Sequence, residues 1–192
     1  VAKYVFENKL ESDKGILFLA NSCEEGLGNL KGGRLIMKEF AGRVTEFYTF
    51  DGTFAHVVNR CVGSHRYEVS FASKGGHSFG AFGNTNAIAV MSNLISELYK
   101  CQVPVKEGTK TTYNVGIVEG GTSVNTIAQS AKMLYEYRSD DLDCLAKMKD
   151  FFNDTVKKVQ TQTDATIEVK LLGERPCGGK VDQAKLDQMT KD

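Results

Sequence analysis

Alternating hydrophobic and polar residues in the middle of the chain predict antiparallel strands. Between residues 64 and 73 the side chains of Tyr67, Val69 and Phe71 fall on one face, while charged and hydroxyl side chains fall on the other. A period of two with one apolar face is typical of a half-buried strand in an antiparallel sheet. Three further segments are predicted as strands, at 111–118, 126–139 and 166–172. The second and third of these four strands form a predicted hairpin around Gly120 and Gly121.

Two helices are predicted between these strands. Residues 86–99 carry apolar side chains at helical spacing, and Asn84 or Thr85 is predicted to cap the first turn. A second helix is predicted from Asp140 to Lys158, with acidic residues in its first turn and lysines in its last, the charge order that favours the helix dipole. The order over 64–172 is therefore β-α-β-β-α-β, which predicts a two-layer ferredoxin-like α+β domain.

The first fifty residues follow a different pattern, that of an α/β portion with a parallel sheet. The apolar run at 15–20 (GILFLA) is typical of a strand buried on both faces. A helix predicted at 30–40 and a strand predicted at 43–50 complete a β-α-β unit. Crossovers of this kind are right-handed, so the two strands would be parallel and would end at the same edge of the sheet. The ferredoxin-like domain is then predicted as an insertion after this α/β portion.

Three carboxylates follow the ends of the two predicted parallel strands. Glu24 and Glu25 lie in a glycine-rich turn after the first strand, and Asp51 follows the second. Ligands of open α/β sheets bind at this edge, and neighbouring carboxylates repel each other unless a cation compensates their charge. The pattern favours a divalent metal or a catalytic role. The alternatives are a solvated acidic turn for the glutamate pair and an Asp-Gly turn for Asp51.

Composition and charge exclude several classes of partner. Lysine and arginine total 24, as do aspartate and glutamate, so no overall field attracts nucleic acid or an anionic membrane. No apolar run approaches the about 18 residues of a membrane span, and no segment resembles a signal peptide. Five widely spaced cysteines without a C-x-x-C pair argue against a disulfide framework or a zinc-cysteine site. We therefore expect a reducing, cytoplasmic setting.

Six motifs in a fixed order carry a resemblance to a known family. They are SCEEGLG after the first strand, the strand ending in Asp51, GSHRYEVSFASKGGHSFGAFGNTNAI, GIVEGGTSVNTI, YEYR and GERPC. Through them the chain resembles the two-domain, two-metal exopeptidases and deacylases that include peptidase T, aminoacylase, glutamate carboxypeptidase and succinyl-diaminopimelate desuccinylase. The resemblance implies a partial catalytic domain at 1–57, a lid and dimerisation domain at 58–172 and a return to the catalytic domain at 173–192.

The resemblance also implies a site for two divalent metal ions. Glu24 corresponds to the family's general base, and Glu25 and Asp51 correspond to metal ligands. Zinc is the expected metal, with cobalt or manganese as alternatives, because mixed carboxylate and imidazole sites accept several metals. The family's histidine ligands and bridging aspartate are expected outside residues 1–192. We therefore expect this chain to be inactive alone, and hydrolysis of N-acyl amino acids or dipeptides by it with added zinc would contradict that expectation.

Residues of the predicted lid domain gain roles from the same resemblance. His77 corresponds to a lid histidine that reaches across a homodimer and stabilises the oxyanion in the partner's active site. Arg138 corresponds to an arginine that holds a substrate carboxylate, with a salt bridge on the strand face as the alternative. Asn86 and Asn125 correspond to asparagines that bind substrate, and capping of turns is the alternative for both.

The implied function is a metal-dependent hydrolase that cleaves a peptide or N-acyl amide bond next to a free terminus, acting as a homodimer through its lid domain. The alternative is a non-catalytic ferredoxin-like module for small-ligand binding or dimerisation, with an anion-binding turn at 120–121. A third hypothesis makes Cys23 a nucleophile, but the adjacent carboxylates would raise the pKa of its thiol. His56 and His65 lack motif context and are interpreted as structural.

Overall fold

Five α-helices and six strands form in the part of the chain that the computed structural model describes, residues 1–52, 58, 60–178 and 182–191. The helices are α1 (Ala2–Glu7), α2 (Lys31–Glu39), α3 (Ala87–Leu98), α4 (Leu142–Gln160) and α5 (Gln183–Met189). The strands are β1 (Gly63–Ala72), β2 (Gly76–His77), β3 (Thr111–Gly120), β4 (Thr126–Ile127), β5 (Ser130–Ser139) and β6 (Thr166–Arg175). The chain divides into two compact units, Val1–Thr49 and Phe50–Asp192, and each is described by itself.

The second unit is built on a four-stranded antiparallel sheet with the strand order β3-β5-β1-β6. The central strands β1 and β5 pair without interruption from Gly63↔Ser139 to Ala72↔Ser130. Both outer pairings contain one irregularity, between Val115 and Ile117 in β3 and opposite Arg66 and Tyr67 in β6. This order of strands, with α3 between β1 and β3 and α4 between β5 and β6, is the ferredoxin-like arrangement that the sequence predicted.

The hydrophobic core lies between the sheet and the helices α3 and α4. Apolar and aromatic side chains alternate along β1 and β5 and point towards the helices, as their period of two requires. Phe152 of α4 stacks on Tyr67 and Tyr135, with ring centroids 4.4 and 5.2 Å apart. The opposite face of the sheet carries mainly charged and polar side chains, together with the paired Leu134 and Ile117. The predicted half-buried sheet is therefore confirmed.

Two details of the predicted second unit are corrected by the structure. Asn86, and not Asn84 or Thr85, is the N-cap of α3. The predicted single strand at 126–139 is divided into β4 and β5. The reason is that the carbonyl of Ala128 accepts hydrogen bonds from the amide of Ala87 and from the hydroxyl of Ser73, both at 2.9 Å, so the backbone leaves the ladder there.

The first unit contains α1, α2 and a short 3₁₀ turn at Gly26–Gly28. The helix predicted at 30–40 is confirmed as α2, but the strands predicted at 15–20 and 43–50 are not formed. Ile16 and Leu17 are 54% and 52% exposed. A strand that is apolar on both faces requires neighbouring strands and a covering layer on each side. The described residues of this unit supply neither, so the predicted parallel sheet is wrong for this unit.

Candidate active site

The turn that carries Glu24 and Glu25 is shaped by unusual backbone angles. Cys23 adopts a φ of 56°, and Glu25 is the extended residue that begins the 3₁₀ turn. A Cβ atom at Gly28 would lie 2.6 Å from the carbonyl oxygen of Cys23, so only glycine fits at this position. Glu24 is partly buried and Glu25 is exposed. The two adjacent carboxylates therefore have different surroundings.

Asp51 belongs to the second unit and is exposed. Its Oδ1 accepts a hydrogen bond of 2.8 Å from the amide of Gly52, whose φ is 67°. This is the geometry of an Asp-Gly turn, the alternative that the sequence left open. One carboxylate oxygen, Oδ2, is not used in this bond.

These carboxylates have the chemistry of metal ligands, but they do not complete a zinc site by themselves. Carboxylate oxygens bind zinc, cobalt and manganese, and zinc in proteins prefers to combine them with histidine. Residues 1–49 contain no histidine. Each of these carboxylates offers an oxygen of the kind that binds a divalent ion, and the first unit supplies no imidazole to complete such a site.

His77 lies on the two-residue strand β2, with its side chain exposed. Its Nδ1 lies 3.3 Å from the amide nitrogen of Phe79 and 3.4 Å from that of Gly80. Both amides are donors, so Nδ1 is the acceptor and the proton of the neutral ring is on Nε2. The loop therefore fixes the tautomer that presents an N–H donor away from its own backbone. This is the form needed to stabilise a developing negative charge.

The pairing of β2 with β4 brings Asn125 next to His77. His77 is opposite Thr126 in the register, and the amide of Ser78 donates to the carbonyl of Asn125 at 2.9 Å. The side chain of Asn125 accepts a hydrogen bond of 2.7 Å from Ser123. Two of the predicted site residues, far apart in sequence, are thus neighbours in the structure.

Asn86 has a structural role in this structure. Its side chain accepts a hydrogen bond of 2.9 Å from the amide of Ile88 and caps α3. An N-cap of this type stabilises a helix by about 1 kcal/mol. The capping alternative stated for Asn86 is therefore present in the structure, and a role in substrate binding stays a prediction.

Arg138 lies on β5, on the sheet face opposite the helices. Its Nε and Nη2 donate to the two oxygens of Glu136 at 2.8 and 3.0 Å. Glu136 also accepts a hydrogen bond of 3.1 Å from Arg66 on the neighbouring strand. The hydrogen bonds to Glu136 raise the pKa of Arg138, so the guanidinium keeps its positive charge. The strand-face salt bridge is present, and Glu136 is a partner that the sequence analysis missed. The spacing of two residues on a strand, which places both side chains on one face, is the signal that could have found it.

His65 is buried, as a structural histidine would be. Its Nδ1 lies 2.6 Å from the hydroxyl of Tyr137, and its Nε2 lies 3.2 Å from Glu174. Burial lowers the pKa of His65, and this effect outweighs the opposing attraction of Glu174. His56 lies outside the described residues.

Two further features concern the cysteines and the helices. All five cysteines are free thiols. Within the described segments, no helix has the length and apolar character required to cross a membrane.

A comparison with protein families identifies the second unit. The family described as peptidase dimerisation domain matches residues 61–164, which is more than half of the chain and includes β1 to β5 with α3 and α4. The chain belongs to the M20 peptidase dimerisation domain family. The family resemblance inferred from the six motifs is confirmed at this level.

Solved structures share the fold of this M20 chain. One is an aminobenzoyl-glutamate utilization protein from Klebsiella pneumoniae, with a TM-score of 0.58 and 17% identity over 68% of this chain and 33% of that one. Another is a hydantoinase/carbamoylase family amidase from Burkholderia multivorans, with a TM-score of 0.57 and 16% identity over 69% and 32%. A third is a putative amidohydrolase/peptidase from Burkholderia cenocepacia, with a TM-score of 0.58 and 16% identity over 70% and 33%.

The M20 chain corresponds to only part of each of these structures. It spans about a third of their length, with covered shares of 32% to 33%. Identities of 16% to 17% show a common fold. No curated protein matches the chain.

Proposed function

We propose that this chain forms part of a hydrolase that cleaves a peptide or N-acyl amide bond next to a free terminus, as exopeptidases and aminoacylases do. The observation that carries the proposal is the family match over 61–164, because it covers the unit that holds His77, Asn125 and Arg138. The hydrolytic chemistry is proposed for the protein that contains this chain, since the chain spans a third of the structures that it resembles. A free thiol at every cysteine agrees with a cytoplasmic location.

In this proposal Glu25 and Asp51 hold divalent metal ions, of which zinc is the first choice and cobalt or manganese the alternatives. Such an ion supplies a Lewis acid and a water molecule of lowered pKa. Glu24, which is partly buried, takes the proton of the attacking water on a carboxylate oxygen and passes it to the leaving nitrogen. The different exposure of the two adjacent side chains in the turn supports this proposed division of roles.

The lid residues bind and orient the substrate in the proposed reaction. His77 donates a hydrogen bond from its Nε2–H to the oxyanion that forms in the active site of the partner subunit. Arg138 holds the free carboxylate of a peptide or an N-acyl amino acid through its planar guanidinium. Asn125 lies beside His77 and offers its amide to the same substrate, and Asn86 has the same role at the start of α3.

The proposed assembly is a homodimer that forms through the second unit. The family to which the chain belongs is described by its dimerisation. β3 is an outer strand of the sheet, and Ile117 and Val118 on it are 48% and 54% exposed. An outer strand with apolar side chains is suited to pairing with a second copy.

A complementation experiment tests the reaction and the shared site together. In the hydrolase that contains this chain, we expect Glu24→Gln and His77→Ala each to lower kcat for N-acetyl amino acids or dipeptides by about 100-fold or more. When the two inactive variants are mixed and allowed to exchange subunits, about a quarter of the wild-type activity should return, since half of random dimers are mixed and each has one intact site.

The matched control is Phe79→Ala. Phe79 lies two residues from His77, and the Phe79 side chain is 90% exposed. This variant should leave kcat unchanged. If the mixture of the two variants stays inactive, His77 does not act in the partner's site. If the His77 variant keeps its activity, the non-catalytic ferredoxin-like module becomes the better account of the second unit. The complete core of that unit is the observation that favours this second candidate.

A further inference from the structure

We propose that Arg66 and Glu136 are positioning residues for Arg138, and that Arg66 keeps the site positively charged so that it attracts a single carboxylate. The inference rests on the proposed function, because it takes Arg138 as the group that receives a carboxylate. It adds two residues to which neither the family resemblance nor the comparisons give a role.

The three side chains form one connected group on the open face of the sheet. Arg66 of β1 is directly opposite Glu136 of β5 in the register, and Arg138 lies two residues further along β5. All three therefore share the face that does not contact the helices. Glu136 accepts two hydrogen bonds from Arg138, at 2.8 and 3.0 Å, and one from Arg66, at 3.1 Å.

The exposure of the three side chains increases from Arg66 to Arg138, the residue proposed to bind the carboxylate. It is 14% for Arg66, 28% for Glu136 and 42% for Arg138. Glu136 engages the Nε–Nη2 edge of the Arg138 guanidinium, and among the described residues this carboxylate is the only hydrogen-bond or ion-pair partner of Arg138. Its Nη1 group is therefore available to a ligand while the other edge is held in place. Holding one edge of a guanidinium reduces the freedom that is lost when a ligand binds.

The charges of the group explain why two arginines are needed. The guanidinium groups of Arg138 and Arg66 hold the pKa of Glu136 below its usual value despite its partial burial, so its carboxylate is ionised. A pair of Glu136 and Arg138 alone would be neutral and would attract an anion only weakly. Arg66 compensates the supporting carboxylate, and the group keeps one net positive charge. One positive charge matches one ligand carboxylate.

The same sheet face offers a matched control for this charge. Lys132 of β5 forms an ion pair of 3.1 Å with Glu119. It lies on the same face as Arg138 but six residues away along the strand, which is about 20 Å at the rise of an extended chain. That distance exceeds the Debye length of about 8 Å at physiological ionic strength. Removing the charge of Lys132 should not affect Arg138.

Titration with acetate tests the inference on the chain itself. Sodium acetate replaces sodium chloride at constant ionic strength, and the Nε–H signal of Arg138 is followed by ¹H–¹⁵N NMR. We expect Arg66→Gln to weaken acetate binding by about 3- to 10-fold, as the loss of a nearby unit charge implies. Arg66→Lys should recover most of the affinity, and Lys132→Gln should leave it unchanged.

A second measurement separates positioning from folding. The carboxyl pKa of Glu136, followed by ¹³C NMR, should rise in Arg66→Gln and stay unchanged in Lys132→Gln. Equal acetate affinities for the wild type and Arg66→Gln, or equal losses in Arg66→Gln and Lys132→Gln, would overturn the inference and leave the role of Arg138 intact. If acetate leaves the Arg138 signal of the wild type unmoved, or if Arg138→Gln binds acetate as well as the wild type, the proposed carboxylate role of Arg138 fails first and the inference fails with it.

Discussion

Two buried tyrosines on β5 show how much the setting of a single hydroxyl matters. Tyr137 lies 2.6 Å from Nδ1 of His65 and 3.0 Å from the hydroxyl of Tyr67. The hydroxyl of Tyr135 is equally buried but has no hydrogen-bond partner in the described part of the chain. Burial raises the pKa of both phenols, so both are neutral. The two residues occupy equivalent positions in the core and differ in whether their polar group is satisfied.

Removing each of the two hydroxyls should therefore have a different effect on stability. Tyr135→Phe is expected to leave the free energy of unfolding unchanged or to raise it by about 1 kcal/mol, because an unpaired buried hydroxyl is removed. Tyr137→Phe is expected to lower it by about 1 to 3 kcal/mol, because His65 and Tyr67 lose their partner. Urea unfolding of both variants provides the measurement. A loss of equal size in both would contradict the assignment of hydrogen bonds.

At the residue scale, motif order in the sequence identified more of the candidate site than local pattern did. His77 and Asn125 were predicted through motifs, and the β2–β4 pairing brings them together. Glu136 was missed because its strand spacing from Arg138 places the two side chains on one face but does not define the rotamers that form the ion pair. For Asn86 the sequence could not distinguish capping from substrate binding, because a helix N-cap and a ligand contact use the same residue types.

At the scale of elements, a link through His65 joins the start of β1 to the end of β6. His65 is opposite Glu174 in the register, and the two side chains lie 3.2 Å apart. The groups that act on the imidazole are Glu174 on β6, Tyr137 on β5, Tyr67 on β1 and Lys149 on α4. Burial dominates among them and lowers the pKa of His65. Protonation of this histidine therefore opposes folding.

The stability of the chain should consequently depend on pH through His65. Below an unfolded pKa of about 6.5, the unfolded chain binds more protons than the folded one. We expect the free energy of unfolding to be constant above about pH 7.5 with respect to this group, and to fall as the pH is lowered through 6.5 towards the folded pKa. Urea unfolding at pH 7.5 and pH 5.5 measures the difference.

Two variants test whether His65 is the histidine that causes this pH dependence. Glu174→Gln removes the attraction that raises the pKa of His65, so the loss of stability at pH 5.5 should become larger. His77→Gln changes an exposed histidine and should keep the wild-type dependence. A pH dependence that disappears in His77→Gln, or that shrinks in Glu174→Gln, would show that His65 is not the group responsible.

The elements of the second unit were predicted well because each has a strong local period, whereas those of the first unit depend on neighbours. β1 and β5 alternate over ten residues, and their strand character follows from that pattern. The run at 15–20 is apolar on every position, and such a run forms a strand only when a sheet receives it. The predicted division at 57/58 and 172/173 stays a prediction, although β6 extends to Arg175.

At the scale of the whole molecule, the hydrophobic core is confined to one stretch of the chain. Its buried residues extend from Tyr67 to Cys177. Phe152 connects α4 to both central strands, through Tyr67 on β1 and Tyr135 on β5. The backbone also closes at the base of the unit, where the amide of Gly178 donates to the carbonyl of Cys61 at 3.1 Å. The second unit thus has the contacts of an independent domain.

The segment 60–178 is therefore expected to fold alone, with a thermal unfolding midpoint close to that of the same unit in the 192-residue chain. Circular dichroism and differential scanning calorimetry of the two proteins provide the comparison. A shorter control, 60–165, lacks β6, which pairs with β1 along its length, and it should not fold cooperatively. An unfolded 60–178 segment would show that residues outside the core stabilise the sheet.

The antiparallel pairing of the first and last long strands has a consequence for how such a unit can be transferred between proteins. Ser64 and Arg175 are paired on the neighbouring strands β1 and β6, so the points where the backbone enters and leaves the unit are separated by about 5 Å. A surface turn of an unrelated host has ends at a similar separation. The unit could therefore be spliced into such a turn as a cassette, and removed again, without displacing the host's own backbone.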